Sequence, residues 1–109
     1  MHELAIAEGI IESVTGKLPD ARITQVNLEI GALSGVVADS LLFCFDLATE
    51  GTALAGAELE ISEPDARCYC RDCQREFSPD GPIPICGCGS ADVKVLAGEE
   101  LRILSVRVA

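Results

Sequence analysis

Apolar and polar residues along this chain follow two different periods, and each change of period marks a change of element. From Leu4, the positions Ala7, Ile11, Val14 and Leu18 recur at steps of three and four, with Ile10 widening the stripe. Glu3, Glu8 and Glu12 occupy the opposite side. Such steps keep residues on one face of a helical turn, so the pattern predicts an amphipathic helix over 3–18. Glutamates in its first turns complement the positive end of the helix dipole, and Pro19-Asp20 stops it.

Over 22–33 the period shortens to two. Val26, Leu28 and Ile30 alternate with Asn27 and Glu29, as in a strand with one buried face, and Ser34-Gly35 turns the chain. A second helix is predicted over 39–50, with Asp39 as its N-cap and Gly51 as its stop. Leu41, Leu42, Cys44, Phe45 and Ala48 form its expected buried side. Ala57, Leu59 and Ile61 against Glu58, Glu60 and Ser62 give another alternating strand. The tail from Val93 to Val108 reads as two short strands broken near Gly98, with Leu104, Val106 and Val108 alternating with Ser105 and Arg107 in the last.

The order helix, strand, helix, strand, cysteine-rich insert, strand, strand predicts an α+β fold. It is a small mixed β-sheet with two helices on one face, to which the tail strand returns, plus an inserted zinc-ribbon-like lobe. The expected division is an α+β domain over 1–65 and 92–109, with the lobe over 66–91.

Composition narrows the function. Hydrophobic residues are 49% of the 109 and aromatic ones only 4%, so the core is aliphatic. Residues 1–66 hold 12 acidic side chains against Lys17 and Arg22, whereas 67–109 hold six of each sign. An acidic body repels phosphate backbones, which argues against nucleic acid as a partner. No apolar run reaches membrane length and no basic segment precedes one, so no membrane association and a cytoplasmic location are expected. In that reducing setting six cysteines read as metal ligands or buried thiols before disulfides.

The insert carries Cys70-x2-Cys73 and Cys86-x-Cys88, separated by 12 residues rich in proline and glycine. Two tight turns, each offering two thiolates, are what a structural zinc ion requires, and four thiolates leave no open position for catalytic water. A redox Cys-x-x-Cys lacks its strand–helix setting here. The second pair is one residue shorter than usual, and Cys68 is a spare thiol able to compete with Cys70. Cys44, on an apolar helix stripe, reads as an inert buried residue.

The only histidine is His2, one residue from the α-amino group in the stretch Met1-His2-Glu3-Leu4. An amine, an imidazole and the amide nitrogen between them can chelate one ion, with the Glu3 amide or carboxylate as a fourth donor. A planar nitrogen-rich set favours Ni(II) or Cu(II) over zinc. A bulky second residue is expected to leave Met1 in place. A solvated terminal histidine with no role is the plainer reading of these residues alone.

"MHELAIAEGII", "NLEIGALSGV", "FDLATEGTALAGAELEI" and "CRDC…CGCGSADVKVLAGEELRILSVRVA", taken in order, resemble the HypA/HybF family of nickel metallochaperones of hydrogenase maturation. The resemblance implies nickel at Met1, His2 and Glu3 and structural zinc at Cys70, Cys73, Cys86 and Cys88. It implies as partners a nickel-handling GTPase and the large-subunit precursor of a nickel–iron hydrogenase, with urease maturation as a further recipient. No catalytic role is expected, since there is no second histidine and no visible acid–base or nucleophile arrangement. A monomer or weak homodimer is expected. The competing class is a zinc-ribbon adaptor that binds a protein partner and carries no nickel.

Overall fold

In the computed structural model, which describes residues 2–109, the stripe of three-and-four spacing becomes helix α1, Glu3–Lys17. Strand β1, Ile23–Ile30, follows, then helix α2, Ala38–Ala48, and strand β2, Glu58–Ser62. The cysteine-rich segment contains β3, Arg67–Cys70, and β4, Arg75–Phe77; the tail supplies β5, Val93–Ala97, and β6, Leu101–Val108. Met1 lies outside the described residues, and with it one of the three nickel donors that the family resemblance implies. Two helices with small sheets make the α+β fold that the order of elements predicts. No described helix is long and apolar enough to cross a membrane.

The chain forms two compact units. The first takes the chain up to Leu28, Val36–Ser62 and Arg102–Ala109. Here α1 packs on α2. Ala7, Ile10 and Val14 of α1 and Leu41 and Phe45 of α2 are buried, with Ile23, Val26 and Leu28 of β1 completing the core. The buried stripe of each helix is narrower than its pattern suggests: Leu4, Leu18 and Leu42 are exposed. Helix α2 starts one residue before its expected N-cap, with Val37 in the cap position and no side-chain cap bond. The Val37 N–H donates to Glu3 Oε2 at 3.3 Å, which ties the start of α2 to the first turn of α1. Asp39 sits in the first turn of α2, where its charge still suits the dipole. Gly51, with φ +75°, turns the chain after α2, a conformation that costs glycine little.

Strand β1 is the centre of a three-stranded sheet in the order β2-β1-β6. The last strand thus returns to the main sheet as expected, but as an edge. There Leu104 and Val108 are exposed, while Ile103, Ser105 and Val106 line a cleft with Val14 and Leu18 of α1. Of the alternating Leu104, Val106 and Val108, only Val106 therefore lines the cleft.

The second unit, Glu29–Gly35 with Glu63–Leu101, is larger than the cysteine segment alone. Its antiparallel sheet has the order β4-β3-β5, pairing Cys68 with Phe77 on one side and Val95 on the other. Strand β5 thus leaves the main sheet to cover the cysteine hairpin. The unit is closed by two glycines in close approach. The Gly31 N–H donates to the Glu100 carbonyl at 2.8 Å, and the Leu33 N–H to the Gly98 carbonyl at 2.6 Å. A Cβ on Gly31 would overlap the Gly98 carbonyl. Gly98 has φ +123°, and a Cβ there would meet the Ala66 side chain at 2.7 Å.

Gly31→Ala is therefore expected to destabilise the protein by about 1–3 kcal/mol, the range for forcing atoms into packed space. Gly9→Ala, on α1 with open space around it, is expected to stabilise by about 0.5–1 kcal/mol. Urea unfolding of both variants, with opposite shifts in midpoint, checks the contrast.

Candidate metal centre

Strand β3 delivers Cys70 into a tight turn, Cys70-Arg71-Asp72-Cys73, from which β4 departs. The turn is closed by the Gln74 N–H donating to the Cys70 carbonyl at 2.8 Å. Within it the Cys73 N–H is aimed at Cys70 Sγ, 3.5 Å away. Gln74, the residue after the second cysteine, adopts φ +56°. The second turn, Cys86-Gly87-Cys88, repeats the plan one residue shorter. Its closing bond runs from the Gly89 N–H to the Cys86 carbonyl at 2.8 Å, three residues apart rather than four. Gly89 again takes a left-handed conformation directly after the second cysteine, at φ +91°. The contraction is absorbed by the turn.

Consequently the sulfurs still converge. Cys70 Sγ lies 3.7 Å from Cys88 Sγ and Cys73 Sγ lies 3.5 Å from Cys86 Sγ, with all four within 4.8 Å of one another. A tetrahedral zinc with bonds of about 2.3 Å places its sulfurs about 3.8 Å apart. Disulfide sulfurs would lie about 2.05 Å apart, so these are separate thiols. The donor set and its spacing fit a closed zinc site.

Electrostatics favour thiolates here. The Cys70 thiol is lowered to about 7, chiefly by the Cys73 N–H, against the opposing effect of burial. Arg75 is held more firmly protonated by its hydrogen bond to the Cys73 sulfur and by the charges of Cys73, Cys86 and Cys88. A guanidinium thus stands beside the sulfur cluster as a positive charge. Cys68 behaves differently. It is buried opposite Phe77 and Val95, stands outside the sulfur cluster, and burial followed by the charge of Glu99 pushes its thiol up. It packs as an apolar side chain rather than competing with Cys70. Cys44 is half-buried on α2.

A polar clamp joins the two turns without any metal. The Arg71 backbone N–H donates to the Asp92 carbonyl at 3.0 Å, and Arg71 Nη1 to Asp92 Oδ1 at 2.9 Å. Ser90 Oγ donates to Asp72, and the Asp92 N–H to Ser90 Oγ at 3.1 Å. The two residues between the first pair of cysteines thus grip the exit of the second pair. Spacing of cysteines alone does not reveal Arg71, Asp72, Arg75, Ser90 and Asp92. The available signal was charge: opposite signs inside the first turn and an aspartate just beyond the second.

The amino-terminal residues belong to the first unit. His2 occupies the N-cap of α1, is exposed and makes no side-chain cap bond; its carbonyl accepts the Ile6 N–H at 3.1 Å. Glu3 opens the helix, with one carboxylate oxygen on the Val37 N–H.

The whole chain has known relatives. A family model described as "Hydrogenase/urease nickel incorporation, metallochaperone, hypA" matches residues 1–108. A hydrogenase maturation factor HypA of Geotalea uraniireducens is 44% identical over 109 residues, covering 99% of both chains. The HypA of a Nostoc species is 42% identical over 108 residues, covering 99% of this chain and 96% of that one. Among solved structures, the solution structure of the Ni metallochaperone HypA from Helicobacter pylori aligns with a TM-score of 0.65 at 25% identity. That alignment covers 99% of this chain and 97% of the other.

The lowered Cys70 value has a consequence for the metal-free protein. The stabilisation from its thiolate is full above the ordinary thiol value of 9.0 and is lost as the pH falls through about 7. Ultraviolet thiolate absorbance of reduced, metal-free protein is expected to show a titration step near 7 that Cys70→Ser removes. A lowest step at the ordinary thiol value would contradict the geometry.

Proposed function

This chain belongs to the HypA family of nickel-incorporation metallochaperones, and on that premise we propose that it carries Ni(II) at its amino terminus for the maturation of a nickel–iron hydrogenase. Urease maturation is a further route for the same cargo. The proposed donors are the Met1 amine, His2 and Glu3. Cys70, Cys73, Cys86 and Cys88 are proposed to hold a resident zinc, which supplies cross-linking and no catalysis. The partners in this reading are a nickel-handling GTPase and the hydrogenase large-subunit precursor, in the cytoplasm. In this reading the first unit carries the nickel, and the second unit, which takes in 29–35 and 63–101 rather than 66–91 alone, is the zinc lobe.

The observation that carries the reading is the full-length family match combined with the position of His2. The first four N–H groups of a helix have no partner within it, so the amides of His2 and Glu3 are outside the α1 ladder. The exposed imidazole stands beside them, unspent on capping. Such donors suit a metal that prefers planar nitrogen coordination. The same position limits affinity. The helix dipole places about half a positive charge at this end, an unfavourable contribution of about 0.3–1 kcal/mol toward a cation. One imidazole, no thiolate and an opposing dipole describe a site that gives its ion up to a partner by ligand exchange.

Calorimetric titration of zinc-containing protein with nickel tests this. The authentic terminus is expected to bind one nickel per chain. Placing Gly-Ser before Met1, or substituting His2→Ala, is expected to abolish that event while zinc content stays unchanged. Affinity is expected to fall from about pH 8 to 6, where amines and imidazoles ordinarily gain protons. Unchanged nickel binding in the extended form would leave the adaptor reading in its place.

A further inference from the structure

Helix α2 buries only Leu41 and Phe45 fully. On its outer side Phe43 is 66% exposed and Leu47, one turn later, 53%. Beside this ridge, Leu42 and Asp46 line a cleft of about 360 Å³ shared with Ala57, Glu58, Leu59 and Glu60 of the β2 segment. Its lining combines exposed Leu42 with the largely buried Ala57 and Leu59, and includes three exposed acidic residues, Asp46, Glu58 and Glu60. Single exposed apolar residues are ordinary on any surface, and Leu4 and Leu104 need no further account. An aromatic and a leucine at helical spacing, continuous with that cleft, make a different feature, because each would gain by being covered.

The charge around it selects the occupant. No lysine or arginine occurs between Arg22 and Arg67, so the charged side chains of α2 and β2 are all acidic; the Arg22 guanidinium, donating to the Ala55 carbonyl at 2.8 Å, stands at one end of the cleft segment. Asp39 and Glu50 stand at either end of α2 and Asp46 between the exposed residues. A second copy presenting this same face would set carboxylate against carboxylate, which disfavours a two-fold dimer here. A lysine or arginine side chain matches the cleft in both parts, its aliphatic stem on leucine and alanine and its charged head among carboxylates.

We propose that the outer face of α2, with the cleft beside it, is a docking surface for a protein partner presenting a cationic amphipathic helix. The partner's apolar side covers Phe43 and Leu47, and a basic side chain enters the cleft. Complementary charge steers the encounter and the apolar ridge supplies the holding contact. The inference does not depend on the nickel reading, and its test uses protein carrying no nickel.

The probe is a helical peptide of about 18 residues made only of leucine and lysine, long enough to fold on contact, with a leucine–glutamate peptide as control. Isotope-labelled, zinc-containing full chain is titrated with each. Amide shifts are expected at Leu42, Phe43, Asp46, Leu47, Glu58 and Glu60 with the cationic peptide alone. Phe43→Ser with Leu47→Ser is expected to weaken binding about tenfold or more, the effect of removing a central anchor. These side chains are exposed, so the variant keeps its fold. Asp46→Asn with Glu58→Gln is expected to weaken binding more than Glu8→Gln with Glu12→Gln, which removes equal charge from the outer face of α1. Shifts spread over the acidic body, equal losses from the two charge pairs, or indifference to the apolar substitutions would overturn the proposal. Self-association that Phe43→Ser abolishes would overturn it in favour of a homodimer.

Discussion

Four sulfur atoms must meet around one point, and the second unit is built on that requirement. In the first unit Ile23, Val26, Leu28, Leu41, Phe45 and Leu54 are buried, a conventional aliphatic core. In the second, the buried apolar side chains among the described residues are Ile30, Ala66 and three cysteines, Cys68, Cys70 and Cys86. Two of those three belong to the sulfur cluster. So small an apolar core contributes little against the entropy of ordering its loops, and a metal is the usual supplement. Held close without one, the thiolates repel each other; the Cys73 N–H, the Arg75 guanidinium and the Arg71–Asp92 clamp each lower that cost without removing it. The hairpin, its register with β5 and the glycine crossing at Gly31 and Gly98 all serve to bring two turns to the same place.

The two proposed metals ask for opposite properties, and the chain places their donors in different units. All-sulfur donors in a closed set hold an ion as part of the fold. Nitrogen donors at the exposed start of a helix, against the dipole, hold one only until better ligands arrive. The proposed nickel set contains no cysteine, and a soft sulfur donor in it would hold the ion more firmly.

Most of the fold was legible because period reports burial. The three-and-four spacing of Ala7, Ile10 and Val14 marked α1, and the alternation of Val26, Leu28 and Ile30 marked β1. What could not be read were elements whose pairing is dictated from outside the strand. Arg67–Cys70 and Arg75–Phe77 are too short, too polar and too rich in cysteine to show a period, so the second sheet was invisible and β5 was assigned no partner of its own. Leu104 and Val108 alternate correctly yet lie exposed, because β6 is an edge whose cover is set by where α1 ends. The start of α2 differs from its local signal for a similar reason: Val37, in the cap position, is held by Glu3, 34 residues away. Of the candidate sites, the cysteine spacing was plain, whereas the clamp residues became meaningful only once the turns were folded.

The most direct test of this account is X-ray absorption at the zinc and nickel edges of one sample of the full chain loaded with both ions. Two separate and chemically opposite sites predict four sulfurs at about 2.3 Å around zinc and only nitrogen or oxygen neighbours around nickel. Sulfur in the nickel shell, or nitrogen and oxygen replacing sulfur around zinc, would contradict it.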